Sequence, residues 1–135
     1  FPFKRQQNKL DLKVRILSVY KNENIFSKIL SGEIPNNTIY ENEYVLAFED
    51  INPQSPVHAL LIPKGKYTSM TDFSENASDK EIVAFIRAIS QITKIKGIND
   101  TGYRIISNSG PDSSQEVPHL HFHIVGGRKL GSILP

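Results

Sequence analysis

The 135-residue chain contains no cysteine, which excludes disulfide bonds, thiol catalysis and any zinc site built on thiolates. It also lacks an apolar run that approaches the ~20 residues needed to span a bilayer. The first residues do not contain the apolar segment of a secretory signal. We therefore expect a cytoplasmic protein with one domain, because a chain of this length can bury one hydrophobic core.

Positive charge is concentrated at the start of the chain. Residues 1–22 hold six basic side chains against one acidic, and residues 23–135 hold 10 basic against 13 acidic. Such an asymmetry alone is weak evidence for binding to nucleic acid or membranes. We therefore predict a basic extension at residues 1–22 and a folded domain at residues 23–135, without a nucleic-acid or membrane partner.

Hydrophobic periodicity predicts two helices. The first covers residues 25–30, with Asn24 able to cap its start and Gly32 its end. The second covers residues 79–96, and Ser78 and Glu81 in front of it match a capping box. Its apolar positions at helical spacing are Ile82, Phe85, Ile86, Ile89 and Ile92.

Apolar and β-branched runs predict about five strands. They cover residues 38–40, 44–48, 58–63, 103–107 and 119–125, whereas residues 67–77 are polar and predicted to be irregular. Short turns join most of these strands, and one long helix is interposed. This order is typical of an α+β domain built on an antiparallel sheet.

Three of the four histidines alternate with large apolar residues near the C-terminus. The stretch reads His119, Leu120, His121, Phe122, His123, Ile124. In a strand, alternate side chains point to opposite faces, so the imidazoles would share a polar face and the apolar groups would face the core. Clustered imidazoles are costly to bury unless each is hydrogen-bonded, so the pattern favours a functional site.

Two kinds of chemistry fit this row of histidines. A zinc site would need two of the three rings plus His58 or a carboxylate, because the outer rings lie ~13 Å apart at strand rise. Alternatively, a neutral imidazole can attack phosphorus while neighbouring rings carry protons and an acceptor holds its other nitrogen as N–H. The residues themselves leave both interpretations open.

Several motifs before and after the histidines extend the pattern. They are Ile25-Phe26-Ser27-Lys28-Ile29, Gly32-Glu33-Ile34-Pro35, residues 47–53, Pro56-Val57-His58, Ile62-Pro63-Lys64, Gly102-Tyr103-Arg104 and the final Gly126-Gly127-Arg128. Together with the histidine row, they resemble the histidine triad (HIT) family of nucleotide hydrolases and transferases, in particular its Hint branch. The resemblance runs from about residue 24 to the end.

The resemblance implies a HIT-like fold, with two helices and a homodimer in which the two sheets join edge to edge. It implies a purine nucleotide substrate and the hydrolysis of adenosine 5′-phosphoramidates, with AMP released through a covalent nucleotidyl-histidine intermediate. No metal or other cofactor is expected. Hydrolysis of dinucleoside polyphosphates, and a nucleotide-binding scaffold with weak catalysis, are the alternatives.

The resemblance also implies roles for the histidines and for one carboxylate. By position, His121 would attack the α-phosphate and His123 would contact the phosphate. His119 and His58 would complete the network that orients the nucleophile, and Asp50 would hold the ribose hydroxyls.

The remaining substrate contacts are implied in the same way. Asn108 would lie near the phosphate, and the base pocket would be lined by Ile25, Phe26, Ile29, Ile34, Phe48 and Ile51. The chain departs from the family pattern at Ser113-Ser114, where Ala-Gly or Gly-Gly is usual. It departs again at Glu116, where a serine assists the leaving group in the best-described relatives. We expect Ser114 and Glu116 to lie at the substrate site.

Overall fold

The computed structural model describes residues 20–134, which form three α-helices, five strands and one turn of 3-10 helix. The helices are α1 (Ile25–Leu30), α2 (Met70–Asn76) and α3 (Asp79–Ile95), and the 3-10 turn is Pro111–Ser113. The strands are β1 (Thr38–Glu41), β2 (Val45–Glu49), β3 (Val57–Pro63), β4 (Tyr103–Ile106) and β5 (Phe122–Gly126). Residues 1–19, most of the predicted basic extension, lie outside the described range, and no helix within 20–134 is long and apolar enough to cross a membrane.

The five strands form one antiparallel sheet in the order β1-β2-β3-β5-β4, which confirms the predicted α+β architecture. The side chain of Asn42 accepts hydrogen bonds from the N–H groups of Tyr44 and Val45 and so closes the β1–β2 hairpin. In the centre of the sheet, Leu60 of β3 lies opposite His123 of β5. This register places the start of β3 beside the histidine strand.

The main hydrophobic core lies between α3 and one face of the sheet. The predicted capping box is present, since Ser78 Oγ accepts from the Glu81 N–H and the Glu81 carboxylate accepts from the Ser78 N–H. Phe85 and Ile92 are fully buried in this core, whereas Ile86 is 48% exposed. The apolar members of the histidine row, Leu120, Phe122 and Ile124, belong to the same core, as their alternation predicts.

A second, smaller cluster lies on the opposite face of the sheet, beneath α1. Asn24 caps this helix by accepting from the Ser27 N–H, as predicted. The buried members of the cluster are Phe26, Ile29, Leu46, Phe48, Leu60 and Ile62. Phe26 of this cluster packs against His119 and His121, so the histidine face of the strand is partly apolar and not only polar as the alternation predicted.

Two local predictions were wrong. Residues 70–76, expected to be irregular, form α2, with Phe73 buried and the Asp72 carboxylate accepting from the Thr68 N–H. The segment is polar and only seven residues long, so its helical periodicity is weak. The histidine strand begins only at Phe122, because the Leu120 N–H donates to the Tyr67 carbonyl outside the sheet.

Candidate active site

A cavity of about 670 Å³ opens on the α1 side of the sheet. Its volume is in the range of small-molecule sites, which is ~300–1,000 Å³. All six apolar residues predicted for the base pocket line it: Ile25, Phe26, Ile29, Ile34, Phe48 and Ile51. This apolar wall can accept a flat aromatic group such as a nucleobase.

Polar side chains line the same cavity. The residues expected to contact ribose, phosphate or leaving group all line this cavity: Asp50, Asn108, Ser114, Glu116, His121 and His123. His58 and His119 are buried close to it, with exposed fractions of 5% and 0%. The tertiary structure thus brings every sequence-predicted site residue to one place.

His121 is held so that one ring nitrogen faces away from its backbone. Its Nδ1 lies 2.8 Å from the backbone oxygen of His119. A carbonyl oxygen can only accept, so Nδ1 carries the proton and Nε2 keeps its lone pair. Since His121 lines the cavity, this arrangement presents a nucleophilic nitrogen there.

His119 is the most deeply buried of the four histidines. Its Nε2 lies 2.9 Å from the Pro63 backbone oxygen, and its Nδ1 lies 2.6 Å from the hydroxyl oxygen of Tyr20. Both ring nitrogens are therefore satisfied, as a buried imidazole requires. The ring of Phe26 packs edge-on against His119 and His121, with centroid distances of 6.2 and 4.8 Å.

His58 connects the loop before β3 to His123. The Gln54 N–H donates to His58 Nδ1 at 3.0 Å, so His58 must carry its proton on Nε2. The His58 Nε2 atom lies 2.9 Å from His123 Nδ1 and 3.3 Å from an Asp50 carboxylate oxygen, so its proton points toward both acceptors. His123 consequently accepts at Nδ1 and keeps an N–H on Nε2, which suits a donor to an anionic oxygen.

The buried rings of the row are held neutral. Burial lowers the pKa of His119 to about 4, and burial together with the nearby His121 and His58 lowers the pKa of His123 to about 4. The pKa of His121 is also lowered, chiefly by burial, although its bond to the His119 carbonyl and the Asp50 charge oppose the shift. A neutral His121 is the form that can act as a nucleophile.

Asp50, His58 and His123 are close enough to be considered as metal ligands. One potential ligand atom from each lies within 4.8 Å of the others. However, the Gln54 N–H occupies the His58 Nδ1 lone pair, so His58 Nε2 is protonated and cannot ligate a cation without breaking this bond. The hydrogen bonds fit a proton-relay chain better than a metal site.

Comparison with known proteins agrees with this geometry. A family model described as "HIT domain" matches residues 31–130. The chain belongs to the HIT domain family. It is 50% identical over 115 residues to a HIT-like protein of Azospirillum brasilense, covering 85% of this chain and 94% of that protein. It is 40% identical over 112 residues to the purine nucleoside phosphoramidase of Escherichia coli K12, covering 83% and 93%.

Solved structures show the same relationship. A HIT family hydrolase from Clostridium thermocellum superposes with a TM-score of 0.77 at 35% identity, covering 85% of this chain and 99% of that one. The HIT fold predicted from the motifs is therefore confirmed. The structure adds one short helix, α2, to the two that the motifs implied.

Ser114 occupies a special backbone position in this HIT domain. It lies in the left-handed region, with φ 60° and ψ 42°, directly after the 3-10 turn. It is the one non-glycine residue with positive φ in the described range 20–134. A left-handed conformation favours glycine, which explains why the family pattern usually has glycine at the position of Ser114.

Sequence reasoning missed several residues that the HIT domain brings to its site. Tyr20 was assigned to the extension, yet it hydrogen-bonds to His119. Gln54 orients His58 through its backbone, and Asn36 and Asn37 line the cavity. Gln115 also lines it and donates to the backbone oxygens of residues 68 and 117. Among these residues, only Tyr20 carried a sequence signal that could have identified it, because it is an aromatic residue next to the first matched motif.

Proposed function

We propose that this protein hydrolyses adenosine 5′-phosphoramidates and releases AMP through a covalent intermediate on His121. The observation that carries the proposal is the His121 Nδ1 bond to the His119 carbonyl, which leaves the Nε2 lone pair facing a nucleoside-sized cavity. The related Escherichia coli protein is named a purine nucleoside phosphoramidase, which supports the same substrate class.

The apolar and acidic parts of the cavity suit the nucleoside. The base lies between the α1 residues Phe26 and Ile29 and the β2 residue Phe48, all of which line the cavity. Asp50 accepts from the Asn52 N–H with one oxygen, and its carboxylate retains lone pairs for the ribose hydroxyls. Asn108, Ser114 and Glu116 contact the phosphate and the departing group.

The first half of the reaction forms a P–N bond to the protein. The Nε2 lone pair of His121 attacks the α-phosphorus, and the bond from phosphorus to the substrate nitrogen breaks. The substrate nitrogen takes a proton from solvent in the open cavity and leaves as an amine. The ring becomes positively charged, and its Nδ1–H bond to His119 and the nearby Asp50 stabilise that charge.

The second half regenerates the histidine. Water attacks the phosphorus, the bond to Nε2 breaks, AMP leaves and the proton taken up by the amine is replaced by one from water. His123 donates its Nε2–H to a phosphate oxygen in both halves, because His58 occupies its Nδ1. The chemistry needs no redox change and no group beyond this chain and water.

The first prediction concerns His121→Ala. This variant removes the attacking nitrogen, so we expect release of AMP from an adenosine phosphoramidate to fall by at least about 10³-fold, while AMP binding stays within a few fold. Release is measured by chromatography and binding by calorimetry. A slow substrate should label His121 of the unmodified chain with a nucleotide. Mass spectrometry of peptides that have been kept away from acid should detect this label.

Other outcomes would identify the alternative functions. Full activity of His121→Ala would contradict the proposal. Faster turnover of a dinucleoside polyphosphate than of the phosphoramidate at equal concentration would favour that hydrolase activity instead. Tight AMP binding without turnover of either substrate would favour a nucleotide-binding scaffold.

We also propose that the protein is a homodimer in which two β4 strands pair edge to edge. β4 ends the described sheet and is paired with β5 on one side. Its apolar side chains Tyr103, Ile105 and Ile106 are 42%, 38% and 39% exposed. An exposed apolar edge strand is a ready template for pairing with a second copy.

A further inference from the structure

Tyr20 lies before α1, in the segment that sequence reasoning placed outside the domain. Its hydroxyl lies 2.6 Å from His119 Nδ1, across 99 positions of sequence. Its ring also packs edge-on against the imidazole, with a centroid distance of 5.4 Å. The residue is therefore attached to the histidine row by both a polar and an aromatic contact.

The direction of this hydrogen bond follows from the other side of the ring. Pro63 offers a backbone oxygen to His119 Nε2 at 2.9 Å, so that nitrogen carries the proton. His119 Nδ1 must then accept, and Tyr20 donates its hydroxyl proton to it. His119 is 0% exposed, so without Tyr20 this acceptor would be buried and unsatisfied.

The position of His119 matters because its backbone orients His121. The His119 carbonyl accepts the Nδ1–H of His121 at 2.8 Å, the bond that directs the Nε2 lone pair into the cavity. Residues 119–121 precede β5, and among residues 20–134 they have no partner in the sheet register. The two ring bonds of His119, to Pro63 and Tyr20, therefore help to fix a segment that the β-ladder does not hold.

We propose that Tyr20 is a positioning residue for the nucleophile, acting through His119. Tyr20 does not line the cavity, so it contacts neither base nor phosphate. Its hydroxyl fixes the ring and tautomer of His119, and the His119 carbonyl in turn fixes His121. The inference rests on the proposed function, and it adds Tyr20, which lies before α1, to the residues that shape the active site.

The test compares Tyr20→Phe with the full-length unmodified chain. We expect kcat for an adenosine phosphoramidate to fall roughly tenfold while KM stays within about twofold, because ground-state binding of the nucleoside is unchanged. In nuclear magnetic resonance spectra that correlate the ring nitrogens and protons, the chemical shift of His119 Nδ1 should change, because this nitrogen no longer accepts a hydrogen bond. The same spectra should show the His121 Nδ1–H signal moving.

Tyr40→Phe is the matched control, because the Tyr40 hydroxyl also makes a part-buried hydrogen bond, which it accepts from the Asn42 side chain, and β2 and β3 separate β1 from the histidine strand. We expect this variant to keep the kcat and the imidazole signals of the unmodified chain. An equal loss of kcat in Tyr40→Phe would show a general stability effect and would overturn the positioning role.

The proposed function and the positioning role can fail separately. An active unmodified chain whose kcat and His121 signal are unchanged in Tyr20→Phe overturns the positioning role alone. An inactive unmodified chain overturns the phosphoramidase proposal, and the spectra then decide the positioning role. A shifted His121 Nδ1–H signal supports it, and an unshifted one overturns it.

Discussion

At the scale of single residues, backbone groups decide which ring nitrogen carries the proton in three of the histidines. The His119 carbonyl sets the tautomer of His121, the Pro63 carbonyl sets that of His119, and the Gln54 N–H sets that of His58. Alternation in the sequence predicts that the imidazoles share a face. It cannot predict their tautomers, because each depends on a partner that folding supplies.

Neutral buried histidines make stability depend on pH. His119 and His123 have a pKa of about 4 in the folded chain against about 6.5 when unfolded, so between these values the unfolded chain binds more protons. The contribution of these two neutral rings to the free energy of unfolding is fully present above pH 6.5 and is lost as pH falls toward 4. We expect the free energy of unfolding in urea to fall by on the order of several kcal/mol between pH 7 and pH 4.

The variant His123→Gln is the control for this pH dependence, since it removes one of the two titrating rings. Its unfolding free energy should change less steeply between pH 7 and pH 4 than that of the unmodified chain. Equal pH dependence of the two proteins would contradict the assignment to His123.

At the scale of elements, local sequence signals and long-range contacts contributed differently. The caps of α1 and α3 were predictable, because a cap depends on residues within one turn of the helix start. The start of β5 was not, because it depends on the bond from the Leu120 N–H to the distant Tyr67 carbonyl. The helix α2 was missed because its burial rests mainly on Phe73.

The capping box of α3 gives a prediction at this scale. Ser78→Ala removes the side-chain acceptor for the Glu81 N–H, so we expect a loss of about 1 kcal/mol in unfolding free energy. Urea unfolding measures it. The kcat should not change, because α3 lies on the face of the sheet opposite the cavity.

Ser90→Ala is the matched control within the same helix. Ser90 is exposed and its hydroxyl donates to the Arg87 carbonyl, so its removal should change stability by less than about 0.5 kcal/mol. Equal losses of unfolding free energy in Ser78→Ala and Ser90→Ala would contradict a stabilising role of the cap.

At the scale of the whole molecule, the sheet separates stability from chemistry. One face carries the α3 core, and the other carries the α1 cluster, the histidines and the cavity. β3 and β5 serve both faces, since Leu61 and Ile124 point to the core while His58 and His123 point to the site. The apolar side of the histidine row is therefore anchored in the core, while its imidazoles lie on the side of the cavity.

The proposed dimer gives a prediction at this scale. Light scattering should find twice the 15.2 kDa chain mass, and Ile105→Lys should shift the protein toward monomer, because a charge on an edge strand opposes pairing. The control Val83→Lys alters a residue that is 49% exposed on α3, near Tyr44 and away from β4. It should leave the dimer intact, and a monomeric unmodified chain would rule the dimer out.

The sequence by itself determined the α+β class, the caps, the two faces of the histidine row and the family motifs. These features depend on periodicity and on neighbours within a few positions. Only the tertiary structure decided the burial of the imidazoles, their tautomers and the inclusion of Tyr20 in the site. The reason is that hydrogen bonds such as Tyr20 to His119, 99 residues apart, form only when the chain is folded.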